Sequence, residues 1–217
     1  LRKFLIKIYS KTSHLKFIEI SFIILPLALI SGPFIPDLII VSSSIIFLHY
    51  CFKNCNFDLF KNNFFYLFLI YYLYISINSV FNNPNFDSIK ISFSFIRFGI
   101  YTVAIVYLIS SNERILKSFF YILFFCISTL IFDGFFQYYF GYNVFGNPIV
   151  EAHRVSSFFG DELILGSYIS RFFPILFGLF ILFKNEIKIN YIIIIVVFSL
   201  AEVLIFLSGE RTSFFIY

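Results

Sequence analysis

Long apolar runs alternate along the chain with short polar connectors rich in Gly, Pro and Asn. Runs of the length needed to cross a bilayer core, about 20 residues as helix, cover about 17–32, 34–51, 63–80, 91–109, 118–140, 162–183 and 191–208. A further run opens near Thr212. Between them stand SGPFIPD, KNCNFDLFKNN, FNNPNFDSIK, SSNERILK and KNEIKIN. No run shows the period-two alternation of a membrane barrel strand, and backbone groups in lipid must find their partners within the segment. The pattern predicts an all-α fold: a polytopic transmembrane helical bundle of seven helices with the start of an eighth, forming a single membrane domain over 1–217.

Composition sharpens this. Of 217 residues, 60% are hydrophobic, 13% are charged and 36 are phenylalanine. So little polar surface cannot cover an aqueous core, which excludes an ordinary soluble domain. There is no Met, even at position 1, and SFFIY stops inside an apolar run. The sequence therefore reads as part of a longer protein, truncated at its C-terminus. Cys51, Cys55 and Cys126 have no His or acid at zinc-site spacing, and the chain carries no HExxH, Walker-type loop or GxGxxG. No metal and no cofactor are expected.

The net charge of +4 matters through its distribution. Assigning connectors alternately to the two sides puts Arg2, Lys3, Lys7, Lys11, Lys16, Lys53, Lys61, Arg114, Lys117, Lys184 and Lys188 on one side. The other side receives only Lys90, Arg154 and Arg211. By the positive-inside rule the N-terminus is cytoplasmic and the longest connector, 141–161, faces outward. The basic excess thus sets topology, and no nucleic-acid partner is expected.

Four charges fall well within the spans: Arg97, Asp133, Arg171 and Glu202. Each lies about six to nine residues below an outer helix end, roughly 9–14 Å at the helical rise. Ionisable groups at that depth are costly and face partners or a wet cavity. Two arrangements fit. The charges form structural pairs, Arg97–Asp133 and Arg171–Glu202, or they line an outward-facing polar cavity rimmed by His153, Arg154, Asp161, Glu162, Glu210 and Arg211.

The rim is concentrated in EAHRVSSFFGDELILGSYISR, residues 151–171. Asp161 and Glu162 are placed to start a helix and complement its dipole, Gly160 permits a turn before them, and Gly166 allows close helix packing. His153, an isolated loop histidine, reads as a solvated side chain. Arg154 precedes the helix, and a guanidinium fork suits phosphate oxygens. SGERTSFF repeats the pattern at Ser208, Gly209, Glu210 and Arg211.

These segments resemble the O-antigen ligase and O-antigen polymerase superfamily. An Arg-x-Ser-Ser/Gly-x-Phe segment closes an outer loop, followed by Gly-Asp and a Leu-Gly-Ser/Thr-Tyr helix. SGERTSFF, one helix later, resembles that family's Ser/Thr-Gly-Ser-Arg-like segment. The resemblance covers mainly 150–217. It implies a glycosyltransferase of the bacterial inner membrane that takes a glycan from an undecaprenyl-diphosphate carrier at the periplasmic face. The glycan passes to lipid A–core or to another carrier-linked chain, in lipopolysaccharide and surface-polysaccharide assembly. By position it makes Arg154 and Arg211 the substrate-binding arginines, with Arg171 a third; Asp161 is a further candidate substrate-binding residue. The family's large periplasmic loop, which in the ligases holds the proposed base, would follow residue 217, so no catalytic residue is assigned within the chain. The polymerases' Arg-x10-Gly spacing is missed by one residue between Arg154 and Gly166. The alternative class is a transporter or flippase using the intramembrane charges as a substrate pathway.

Overall fold

The structure, a computed structural model, describes residues 13–82, 85–149, 154–187, 189–210 and 213. Among these the regular structure is helical and no strand is formed, with one isolated antiparallel bridge between Tyr142 and Pro148 in the loop before the seventh helix. The helices are α1 (Ser13–Ile30), α2 (Phe34–Asn54), α3 (Asn63–Asn82), α4 (Phe86–Ser94), α5 (Ile96–Ser111), α6 (Arg114–Phe140), α7 (Leu165–Leu182) and α8 (Tyr191–Leu207). Every predicted span is found as helix. The span expected at 91–109 differs, since it begins at Phe86 and is interrupted at Phe95. The opening of a further helix near Thr212 lies outside the described residues apart from Ser213.

Among the described residues five segments are long and apolar enough to cross a membrane: Phe34–Asn54, Asn63–Asn82, Phe86–Ser111, Arg114–Phe140 and Leu165–Leu182; Tyr191–Leu207 is a shorter apolar helix. Large side chains stay exposed along them, including Phe64, Ile70, Phe81, Phe132 and Phe206. That surface is a liability in water and the expected one in lipid. The chain is a multi-pass membrane protein.

The chain packs as two compact units. The first holds Leu1–Leu25 and Phe34–Ile115. Its core joins Leu15 and Ile18 of α1 to Phe47, Tyr50 and Cys51 of α2 and to Val103, Ala104, Tyr107 and Leu108 of α5. Two buried hydroxyls satisfy one another there, Tyr50 and Tyr107, at 2.8 Å. Local chemistry sets the breaks. Gly32 takes a left-handed φ of 104° before Pro33, a conformation that costs glycine little. Asn62 caps α3 by accepting the Phe65 N–H at 2.7 Å. In the connector between α2 and α3, the Lys61 hydrogen bond to Asp58, reinforced by its charge, lowers the Asp58 pKa.

Arg97 corrects one expectation. Its guanidinium pairs with Asp37 at the start of α2, at 2.7 Å, while Asp133 is engaged elsewhere, as described below. Asp37 had the look of a connector residue because it follows the breakers Gly32, Pro33 and Pro36, yet it belongs to the first turn of α2. The Ser44 hydroxyl adds a second link by donating to the Arg97 carbonyl at 3.0 Å. We expect Arg97→Asp to lower the folded yield and Arg97→Asp with Asp37→Arg to restore most of it. A double-mutant cycle on thermal unfolding should give a coupling of about 1 kcal/mol or more, because the partners are only partly solvated. Additive effects of the two substitutions would contradict the pairing.

The second unit holds Pro26–Pro33 and Leu116–Tyr217. Phe120, Leu123, Ile127 and Leu130 form one buried stripe of α6, and Leu165, Ile169, Phe173 and Leu176 one of α7. Both follow the three-and-four spacing of a single helix face. α8 contributes Ala201, Leu204 and Ile205. α6 and α8 meet at Gly134, where an added Cβ would lie 2.5 Å from the Leu204 side chain.

Candidate functional site

The polar residues of the second unit gather where α6 ends, α7 begins and α8 ends. Asp133 and Gln137 stand one helical turn apart on α6, and both are fully buried. Asp133 accepts the Val144 N–H at 2.9 Å through Oδ1 and the Ser157 hydroxyl through Oδ2. Gln137 Oε1 accepts the N–H groups of Ser156 and Ser157 at 3.0 and 2.7 Å. Asn143, also fully buried, donates to the Ser157 carbonyl at 2.9 Å and accepts from the N–H groups of Phe145 and Asn147. These side chains replace the hydrogen bonds that a helix or sheet would otherwise give the loop, so irregular backbone can be buried there. They also hold Ser157 at φ 52°, a conformation non-glycine residues avoid.

A second knot ties residues 154–155 and 166–167 to the end of α8. The Val155 N–H donates to the Leu207 carbonyl at 3.2 Å, and Arg154 Nε donates to the Ser208 carbonyl at 3.0 Å. Arg154 lies across Gly209, whose φ is 70°; a Cβ there would come within 2.9 Å of Arg154 Nε. Glu210 then reaches the first turn of α7. Its Oε1 accepts the Gly166 N–H at 2.8 Å, and its Oε2 accepts the Ser167 N–H at 3.0 Å and the Ser213 hydroxyl at 2.8 Å. The Ser167 hydroxyl also donates to Oε2. Orphan N–H groups at a helix start need acceptors and favour negative charge. Glu210 supplies both from 44 residues away along the chain.

This corrects the expected start of α7. The helix begins at Leu165, three residues after the predicted Glu162, and no side chain of its own N-cap residue, Ile164, contributes a bond. Asp161 and Glu162 are exposed in the turn after Gly160. The expected turn at Gly160 is present, with φ 58°. Gly166 serves close approach as predicted, and what it approaches is the turn after α8. An added Cβ would lie 2.5 Å from Ser208 Oγ and 3.2 Å from the Glu210 side chain. We therefore expect Gly166→Ala to cost about 1–3 kcal/mol, the usual range for overpacking. Ser208→Ala should recover part of it by removing the nearest atom. Thermal unfolding of Gly166→Ala, Ser208→Ala and the double variant checks this; an unchanged melting temperature for Gly166→Ala would refute the contact.

The other predicted site residues fall as follows. Arg154 is half-buried in the knot, Asp161 is exposed, and Arg171 is exposed one and a half turns into α7. Arg211 and His153 lie outside the described residues. Glu202 is exposed as well, and no ion pair within 4.0 Å joins Arg171 to Glu202, so that expected pair is not formed. Among the described residues no group of three or more His, Cys, Asp or Glu is placed to hold a metal ion. Gln137 and Asn143 were missed because uncharged residues in apolar surroundings draw little notice. Their signal is an amide near the end of an apolar span, where backbone leaving a helix needs partners.

No family model matches the chain, and no curated protein or solved structure matches it.

Proposed function

We propose that the chain belongs to an O-antigen ligase- or polymerase-like glycosyltransferase of the bacterial inner membrane. It would act at the periplasmic face on a glycan carried by undecaprenyl diphosphate and pass it to a glycan or lipid A–core acceptor. The single observation that carries this is the meeting of the two motif segments. RVSSFF and the start of SGERTSFF lie more than 50 residues apart and are joined through Arg154 to Ser208 and Val155 to Leu207. Arg154 thereby stands beside the turn that leads into Arg211. Two guanidinium groups near the headgroup level would grip a diphosphate and offset the charge that develops as the sugar–phosphate bond breaks. Asp161, exposed in the turn after Gly160, would border the same substrate. The acceptor hydroxyl would attack the anomeric carbon after losing its proton to a base not assigned within 1–217.

The decisive assay is the surface-glycan ladder of a strain carrying Arg154 variants, argued in the Discussion. Topology is tested separately. In a Cys55→Ser background, which removes the exposed native thiol, a cysteine at the exposed Asn147 should react with an impermeant reagent added from the periplasm. One at the exposed Asn185 should react only after the membrane is opened. The reverse result would put the knot on the wrong side for this function.

A further inference from the structure

Among the described residues neither Arg171 nor Glu202 has an ion-pair partner within 4.0 Å, although they sit on apolar helices that pack against each other. Arg171 is six residues into α7 and Glu202 five residues before the end of α8, depths of roughly 9 and 8 Å from those ends. The ends share one level, because Glu210 just past α8 caps the first turn of α7. The two charges therefore lie at nearly one depth.

They also lie on the same side of the α7–α8 pair. Arg171, Pro174 and Gly178 follow one stripe of α7, and Ile195, Phe198 and Glu202 one of α8, each at i, i+3, i+7. Between the stripes runs an apolar groove of about 360 Å³ lined by Pro174, Phe177, Ile195 and Phe198, among others. Gly178 faces open space, which leaves room for a close helix. Arg171, Pro174, Gly178, Ile195, Phe198 and Glu202 are all exposed in the described structure, so an apolar face carries one cation and one anion at a single depth. Lipid tails give neither charge a counter-ion.

We infer that this face binds a second copy of the chain, with Arg171 of each copy paired to Glu202 of the other. A two-fold axis along the bilayer normal keeps both copies at the same depth. It presents the same patch twice, so one self-complementary surface makes both ion pairs. The charge pattern selects this occupant: an identical patch rotated by a half-turn offers an acid to each base and a base to each acid. Nothing in it depends on the glycosyltransferase proposal.

The test uses charge reversal. R171E carries acids at both positions and E202R carries bases at both, so each variant repels its own copies. The mixture restores both pairs. Energy transfer between differently labelled chains in liposomes should show association for wild type. It should be at least about tenfold weaker for either variant alone, since like charges meet across the interface, and should recover when R171E and E202R are mixed. Recovery on mixing cannot come from pairing within one chain. Because reversal can impair insertion, a second measurement removes the charges. R171C and E202C chains with different tags, both in the Cys55→Ser background, should form a mixed disulfide under mild oxidation. Wild-type chains that stay apart, association indifferent to reversal, or failure of both the mixture and the mixed disulfide would overturn the dimer. An anionic lipid or another protein's helix would then be the cover.

Discussion

Arg154→Ala is expected to remove the long-glycan ladder from a strain that depends on this gene, with the protein still inserted at normal levels. The guanidinium is positioned before any substrate arrives, by its Nε bond to the Ser208 carbonyl and by its packing over Gly209. Preorganised cations lose little on binding, so most of their attraction to a diphosphate is realised in the reaction. Losing two charge-assisted hydrogen bonds at about 1.5–3 kcal/mol each would slow turnover by roughly a hundredfold to ten-thousandfold. Arg154→Lys separates charge from geometry. It keeps the cation but loses the planar fork, so it too should remain impaired. Thermal unfolding of purified protein distinguishes this from damage to the knot, since Arg154→Lys should melt close to wild type. An unchanged ladder for both Arg154→Ala and Arg211→Ala would remove the transferase site from this region. Loss of small-solute export in the same variants, with the ladder intact, would favour a transporter.

Most of the fold was legible because bilayer thickness imposes one length on every span, and apolar runs of that length can only be helices. Interior partners were harder to read. Depth alone paired Arg97 with Asp133, but pairing depends on which helix faces which, and that is not written in hydropathy. Asp37 took Arg97 from the first turn of α2, a position that the surrounding prolines disguised. The same limit explains Glu210. A helix start normally takes its cap from the preceding residues, and Asp161 and Glu162 offered themselves there. Only the fold shows that the turn after α8 delivers a carboxylate to the spot. Gly166 and Gly160 were read correctly because glycine marks a demand of the backbone itself. RVSSFF and SGERTSFF were singled out as separate motifs, and their union through Val155 and Arg154 is a fact of tertiary structure.

Asp133→Ala should be among the most destabilising substitutions in the second unit. The carboxylate is fully buried and holds both sides of the loop, the Val144 N–H on one and the Ser157 hydroxyl on the other. Truncation strands two donors where water does not reach them easily, at about 1.5–3 kcal/mol for each lost bond to a charged group. A total of about 3 kcal/mol or more corresponds to a fall in melting temperature of roughly 6–12 °C for a chain of this size. Asp133→Asn should be milder. Its amide oxygen can still accept from Val144, and the Ser157 hydroxyl can turn to accept from the new NH2. Ser157→Gly offers an independent check. It gives up the Asp133 bond but relieves the φ of 52°, so its cost should stay below that of Asp133→Ala. If Asp133→Ala melted within about 2 °C of wild type, less than 1 kcal/mol by the same scaling, the buried carboxylate would not be what holds the loop. If the expected order appears, Asp133→Ala should also weaken the glycan ladder by releasing residues 154–160. Asp133→Asn, with the loop still held, should largely preserve it. Asp133 then acts as a positioning residue, setting where Arg154 stands without meeting the substrate itself.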